Sequence, residues 1–131
     1  VHLRRYVASD RPTLALLDRI IPSKQDGDSL PFTALVAYND YMAALAIQRL
    51  RERGWAVPEE VGVAGFDGIL PGWYTETSIT SAAMPLEELG AQAIQVLTFR
   101  IENPEAPRRK AVLPTTFVTG ETVASVRGSC A

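Results

Sequence analysis

The chain has 131 residues, 47% hydrophobic and 21% charged, a balance that suits one folded domain and excludes a disordered segment. Its 13 Lys and Arg against 15 Asp and Glu leave a formal charge of −2, so there is no basic surplus to neutralise a row of phosphates, and this piece is not expected to hold DNA or a membrane surface by itself. The single cysteine, Cys130, cannot close an internal disulfide, and no apolar run approaches the roughly 18 residues of a membrane span, which makes the cytoplasm the expected compartment. A start on Val1, with Val1-His2-Leu3-Arg4-Arg5 unlike a signal peptide, suggests a piece of a longer chain.

Asp10-Arg11-Pro12 predicts a helix start, with Leu14, Leu17, Ile20 and Ile21 on one face until Pro22 stops it. The polar stretch 23–31 reads as a loop. Thr33-Ala34-Leu35-Val36-Ala37-Tyr38 is a nearly continuous apolar run, the pattern of a strand buried on both faces of a parallel sheet. A helix follows at once: Asn39 is suited to cap it, Asp40 complements its positive end, and Gly54 marks its far end. On this helix Met42, Leu45, Ala46, Arg49 and Leu50 form the face expected to cover the sheet. Ala43, Ala44 and Ile47 form a second face, either small-residue surface or a contact with another subunit.

Val61-Gly62-Val63-Ala64-Gly65-Phe66 is the next strand, whose glycines weaken it unless another backbone approaches closely. Beyond Asp67-Gly68 an irregular stretch carries Trp73 and Tyr74, expected as core or interface anchors. Residues 79–83 predict a third strand, and Pro85 opens the longest helix. Its stripe Leu86, Leu89, Ala93, Val96, Leu97 and Ile101 is expected to be buried, with Gly90 allowing close approach to the sheet. Asn103-Pro104 ends that helix, Arg108-Arg109-Lys110 reads as a solvated loop, and Ala111-Val112-Leu113 with Thr116-Phe117-Val118 predicts a final strand that Pro114 interrupts, an edge or a bent crossing strand. The order α-β-α-β-β-α-β predicts an α/β, Rossmann-like layered domain with a mostly parallel sheet flanked by helices.

Little catalytic chemistry is on offer. His2 is the only histidine, and there is no Gly-x-Ser-x-Gly elbow, phosphate loop or dinucleotide fingerprint, so no cofactor or metal is expected. An enzyme would have to rely on Asp40 or Asp67 as acid or base. Asn39-Asp40 alone reads as helix capping and Asp67-Gly68 alone as a turn. Both pairs, however, fall at the ends of successive strands. In an open parallel sheet ligands bind in the crevice beyond those ends, so the two sets outline one wall of a small-molecule site.

The strings Ala37-Tyr38-Asn39-Asp40-Tyr41-Met42-Ala43, Arg53-Gly54, Val57-Pro58-Glu59-Glu60-Val61 and Val63-Ala64-Gly65-Phe66-Asp67 are in order and at matching spacing. So are Ile79-Thr80-Ser81, Pro85-Leu86-Glu87-Glu88-Leu89-Gly90 and the stretch from Leu113-Pro114 to Thr122. Together they resemble the effector-binding domain of the lac repressor/galactose repressor family of transcription regulators. The resemblance runs from about Phe32 to Ala124, while residues 1–31 match poorly.

It implies that residues 1–131 are a single domain, the C-terminal lobe of a periplasmic-binding-protein-like fold, without the N-terminal lobe and the DNA-binding headpiece. It further implies a sugar or nucleoside-like effector held by Asn39, Asp40 and Asp67 in a cleft between lobes. A homodimer would use Ala43, Ala44, Ile47 and Tyr74, and operator DNA would be held only through the missing headpiece. Two departures matter: Gly68 stands where the pattern often has a second acid, and Met84 where it often has glutamine, a change that suits a less hydroxylated effector. Rival readings are a lobe of a periplasmic solute-binding protein and an α/β enzyme.

Overall fold

The structure is a computed structural model that describes residues 14–69 and 76–125. The expected helix start at Asp10-Arg11-Pro12, together with His2, Trp73, Tyr74 and Cys130, lies outside the described residues. The elements are α1 (Leu14–Ile20), β1 (Ala34–Val36), α2 (Asp40–Glu52), β2 (Gly62–Asp67), β3 (Thr80–Ala83), α3 (Leu86–Glu102) and β4 (Thr116–Val118). The strands form one sheet in the order β1-β2-β3-β4, with β1, β2 and β3 parallel and β4 antiparallel at the edge. The predicted order of elements matches this arrangement, and of the two readings of Pro114 the edge strand is the one found; the strand is shorter than expected, since only Thr116–Val118 pairs and 111–113, cut off by the proline, stay outside it.

One face of the sheet is a core. Val61 and Val63 pack with Ala43, Ala46, Ile47 and Leu50 of α2 and with Leu17, Ile21, Trp55 and Val57 around them. Alternation in β2 sends Val63 to this side, and α2 lies on it as the short crossover of a parallel β1-α2-β2 unit requires. The second face of α2 is largely covered too: Ala43 and Ile47, expected as small-residue surface or a subunit contact, belong to the core, and Ala44 keeps only 9% exposure. α1 is tied on through Arg53, which donates to the Asp18 carboxylate at 2.6 Å and to the Ile21 carbonyl, and through Trp55, whose Nε1 donates to the Pro22 carbonyl at 2.8 Å. Lys24 and the Ala56 N–H both hydrogen-bond the Glu60 carboxylate and hold it below the usual glutamate range. What this pairing adds to stability is present at neutral pH and is lost as pH falls through that lowered value.

After β4 the chain returns to the sheet and is pinned there. Thr122 is fully buried; its hydroxyl accepts from Thr80 N at 3.0 Å and donates to the Val63 carbonyl at 2.6 Å, and its own carbonyl accepts from Val63 N at 2.7 Å. Gly120 precedes it where a Cβ would lie 2.4 Å from the Ser78 carbonyl oxygen, so only glycine fits that crossing.

The other face is open. Phe66, Ala82 and Phe117 are register partners across β2, β3 and β4, and Phe117 remains 71% exposed while Val36 of β1 is 81% exposed. The sequence reading is corrected for α3. None of its residues is buried, its apolar stripe from Leu86 to Ile101 faces solvent, and an added Cβ at Gly90 would meet nothing within 4 Å. A 17-residue helix with an apolar stripe left exposed among the described residues is an unpartnered face. The segment after it folds back on α3, with Arg109 over the Phe99 ring at 3.3 Å and Arg100 donating to the Ala106 carbonyl at 2.5 Å.

Candidate functional site

The parallel register brings the sequence-predicted residues to one edge of the sheet. Val36 pairs with Ala64, and Asn39 and Asp67 each lie three residues farther along, so Asn39 just beyond β1 and Asp67 at the last position of β2 share the carboxyl edge of adjacent strands. Asn39 is extended, at φ −152° and ψ 171°, and its Oδ1 accepts from Met42 N at 2.9 Å. The capping function read from the sequence is therefore real and uses one side of the amide. Its half-buried NH2 group has no hydrogen-bond partner among the described residues, leaving a donor directed out of the helix start.

Asp67 is the more unusual residue. It is the only non-glycine at positive φ among the described residues, at 91°, and Gly68 follows at 70°. Holding an L-residue there costs on the order of 1–3 kcal/mol, and such strain concentrates where a side chain has to be presented in a particular direction. The carbonyl of Asp67 is fixed by Met84 N at 3.0 Å, while its half-buried carboxylate accepts no hydrogen bond among the described residues. A Cβ at Gly68 would come within 2.3 Å of Ala83 Cβ, which explains why this chain carries glycine where the resemblance anticipates an acid.

Asp40 corrects the sequence reading. It was expected to reach the ligand beside Asn39 and Asp67, but its side chain is 2% exposed and turned inward. Its Oδ1 accepts from Ser81 Oγ at 2.5 Å and its Oδ2 from Ile69 N at 3.0 Å. Both oxygens are thus occupied within the protein. The physical reason is its position as the first residue of α2, directly over β2, where Gly65 leaves the room it fills: a Cβ at 65 would lie 2.2 Å from Asp40 Oδ1. Ser81 was not singled out from the sequence, where a lone serine in a short strand carries no signal. Gly65 did carry one, as a strand glycine that requires a close neighbour.

The expected dimer residues are placed as follows. Ala43 is fully enclosed, which removes it from any interface. Ala44 and Ile47 line the floor of an open groove of about 500 Å³ along α2, walled by Gln48, Arg51, Glu76 and Thr77. Tyr74 is outside the described residues. Among the described residues no group of His, Cys, Asp or Glu could hold a metal ion, and no helix is long and apolar enough to cross a membrane.

Comparison with known proteins agrees with this architecture. Residues 2–123 match the periplasmic binding protein-like domain. The chain is 45% identical over 71 residues to the HTH-type transcriptional regulator AscG of Escherichia coli, covering 54% of this chain and 21% of AscG. It is 32% identical over 93 residues to the HTH-type transcriptional repressor PurR of Aliivibrio fischeri, covering 71% of this chain and 28% of PurR.

Among solved structures, a LacI family transcriptional regulator from Enterococcus faecium with bound ribose superposes with a TM-score of 0.65 at 30% identity, covering 74% of this chain and 36% of that one. Another from Arthrobacter sp. FB24, in complex with lactose, gives a TM-score of 0.62 at 28% identity, covering 70% and 35%. The chain spans well under half the length of these relatives, which are transcription regulators. By fold and sequence together, it belongs to the periplasmic binding protein-like domain family, in the form carried by LacI-type transcription regulators.

Proposed function

We propose that this chain is the C-terminal lobe of the effector-binding domain of a cytoplasmic transcription regulator, and that it takes a sugar or nucleoside-like effector at the ends of β1 and β2. The observation that carries the reading is Asp67: a strained, half-buried acid at the end of a central strand, without a partner for its carboxylate among the described residues. With the Asn39 amide beside it, this wall offers an acceptor with charge and a neutral donor, the complement of hydroxyl or ring N–H groups. Relatives solved with ribose and with lactose support a small polar ligand. Met84, whose backbone N–H holds the Asp67 carbonyl, stands next to this wall.

The second wall, the cover of the open sheet face and the seat for the α3 stripe all belong, in this reading, to the rest of a longer protein. So does the DNA-binding headpiece, since a chain with a formal charge of −2 has no basic surplus with which to release counterions from an operator. Effector binding would change how the two lobes sit against one another and thereby alter operator affinity. A homodimer belongs to the same picture, with a second copy reaching Ala44 and Ile47 through the α2 groove.

Calorimetry of the complete protein against a panel of pentoses, disaccharides and nucleosides tests the assignment. One of these classes should bind at a single site per chain, and residues 1–131 alone should bind the same compound at least tenfold more weakly, because ligand sites bury about 70–90% of a small molecule and one wall cannot. Equal affinity of the fragment would overturn the two-wall site, and no binding by the complete protein would overturn the effector class.

A further inference from the structure

Asp40 is the only buried charged residue among the described residues, and its carboxylate does not serve its own helix. The first-turn N–H of Met42 is capped by Asn39, whereas the two Asp40 oxygens go to β3 through Ser81 and to the turn after β2 through Ile69. That turn is the one that bears Asp67. Two successive residues at positive φ, the first of them not glycine, will relax unless something outside the turn holds it. Two bonds bracket it: Met84 N to the Asp67 carbonyl on the β3 side, and Ile69 N to Asp40 Oδ2 on the α2 side, each 3.0 Å.

We propose that Asp40 is a positioning residue for the effector site, its buried carboxylate locking the Asp67–Ile69 turn so that the Asp67 carboxylate faces the cleft. The inference rests on the reading of Asp67 as the effector's acceptor. Asp40 is built to be immovable: it starts α2, it accepts from Ser81 Oγ at 2.5 Å, and the missing side chain of Gly65 lets its Cα sit 3.1 Å from where a Cβ would stand. A buried acid with two donors from two separate elements fixes their relative position more tightly than either bond alone. A role confined to the helix dipole would need no partner on β3 or in the turn.

The chemistry of the two donors makes the test selective. In Asp40→Asn the amide oxygen can still accept from Ile69 N–H, and the amide N–H can donate to Ser81 Oγ, whose hydroxyl accepts as readily as it donates. Asp40→Ala keeps neither bond. On the isotope-labelled 131-residue chain, two NMR signals report the turn: hydrogen exchange of the Ile69 amide, and the intraresidue Hα–HN Overhauser effect of Asp67, which is strong only at positive φ. Asp40→Ala should lower Ile69 protection roughly tenfold or more and weaken the Asp67 signal. Asp40→Asn should retain both, and the Val63 amide, bonded to the Thr122 carbonyl, should stay protected in each.

If Asp40→Ala does not fold, Ser81→Ala removes one donor only and should move the same two signals in the same direction by less. Wild-type Ile69 exchange and an unchanged Asp67 signal in Asp40→Ala, or in Ser81→Ala where that variant stands in, would overturn the proposal. Neither signal requires a ligand. Failure here therefore leaves Asp67 as a ligand contact, whereas unchanged effector affinity in Asp67→Ala would defeat that contact with the turn still locked.

Discussion

Replacing Asp67 by Ala in the complete protein should weaken effector binding roughly ten- to a hundredfold, because a hydrogen bond to a charged group is worth about 1.5–3 kcal/mol. The variant that isolates the cause is Asp67→Gly. Glycine accepts a φ of 91° without strain, so it should lose the same affinity while leaving stability unchanged or raising it by up to about 1 kcal/mol. Lost binding together with gained stability is the signature of a residue held in strain for function. Asp67→Asn keeps an acceptor oxygen and tolerates positive φ, and should retain more affinity than either. Calorimetric affinity and urea unfolding of the three variants, measured side by side, check this pattern, and parallel losses of both quantities in Asp67→Gly would contradict it.

Leu50→Ala should cost about 2–5 kcal/mol, since Leu50 is fully enclosed between α2 and the sheet and truncation leaves a cavity that the core cannot close. Leu97→Ala, on the exposed stripe of α3, should shift the stability of the 131-residue chain by less than about 0.5 kcal/mol. In the complete protein the same Leu97 change should become a core substitution and cost several times more. Urea midpoints for both substitutions in both proteins provide the comparison. A small Leu97 effect in the complete protein would mean that α3 finds no partner in the longer chain.

Much of this was legible in the sequence because burial writes itself as pattern. The apolar runs ending at Tyr38 and at Phe66 locate β1 and β2, although β1 is not buried on both faces as its run suggests, since Ala34 and Val36 face the open side of the sheet; Asn39 caps α2 as its residue type suggests. Pro114 correctly marks an edge strand. Two limits of pattern also show. The stripe of α3 carries the periodicity of a buried helix, but periodicity records that a face was selected to be covered, not that the cover lies in the same stretch of chain.

The second limit concerns the acids. Asn39-Asp40 and Asp67 look alike as polar residues at strand ends, and nothing in their order tells which carboxylate turns in toward Ser81 and which turns out. That choice is made by Gly65, Gly68 and Ala83, through room left or denied for a Cβ. On the second face of α2, Ala43 and Ile47 read as surface or a subunit contact because that face is only partly apolar, and only the packing of the sheet decided for the core.

The most direct measurement is a crystal structure of the complete protein with its bound effector. The account predicts a ligand donor within about 3.2 Å of an Asp67 carboxylate oxygen, the Asn39 amide on the same ligand, and Asp40 still closed on Ser81 and Ile69. It also predicts the α3 stripe buried against the part of the chain that supplies the second wall. An effector seated away from the ends of β1 and β2, with Asp67 facing solvent, would contradict it.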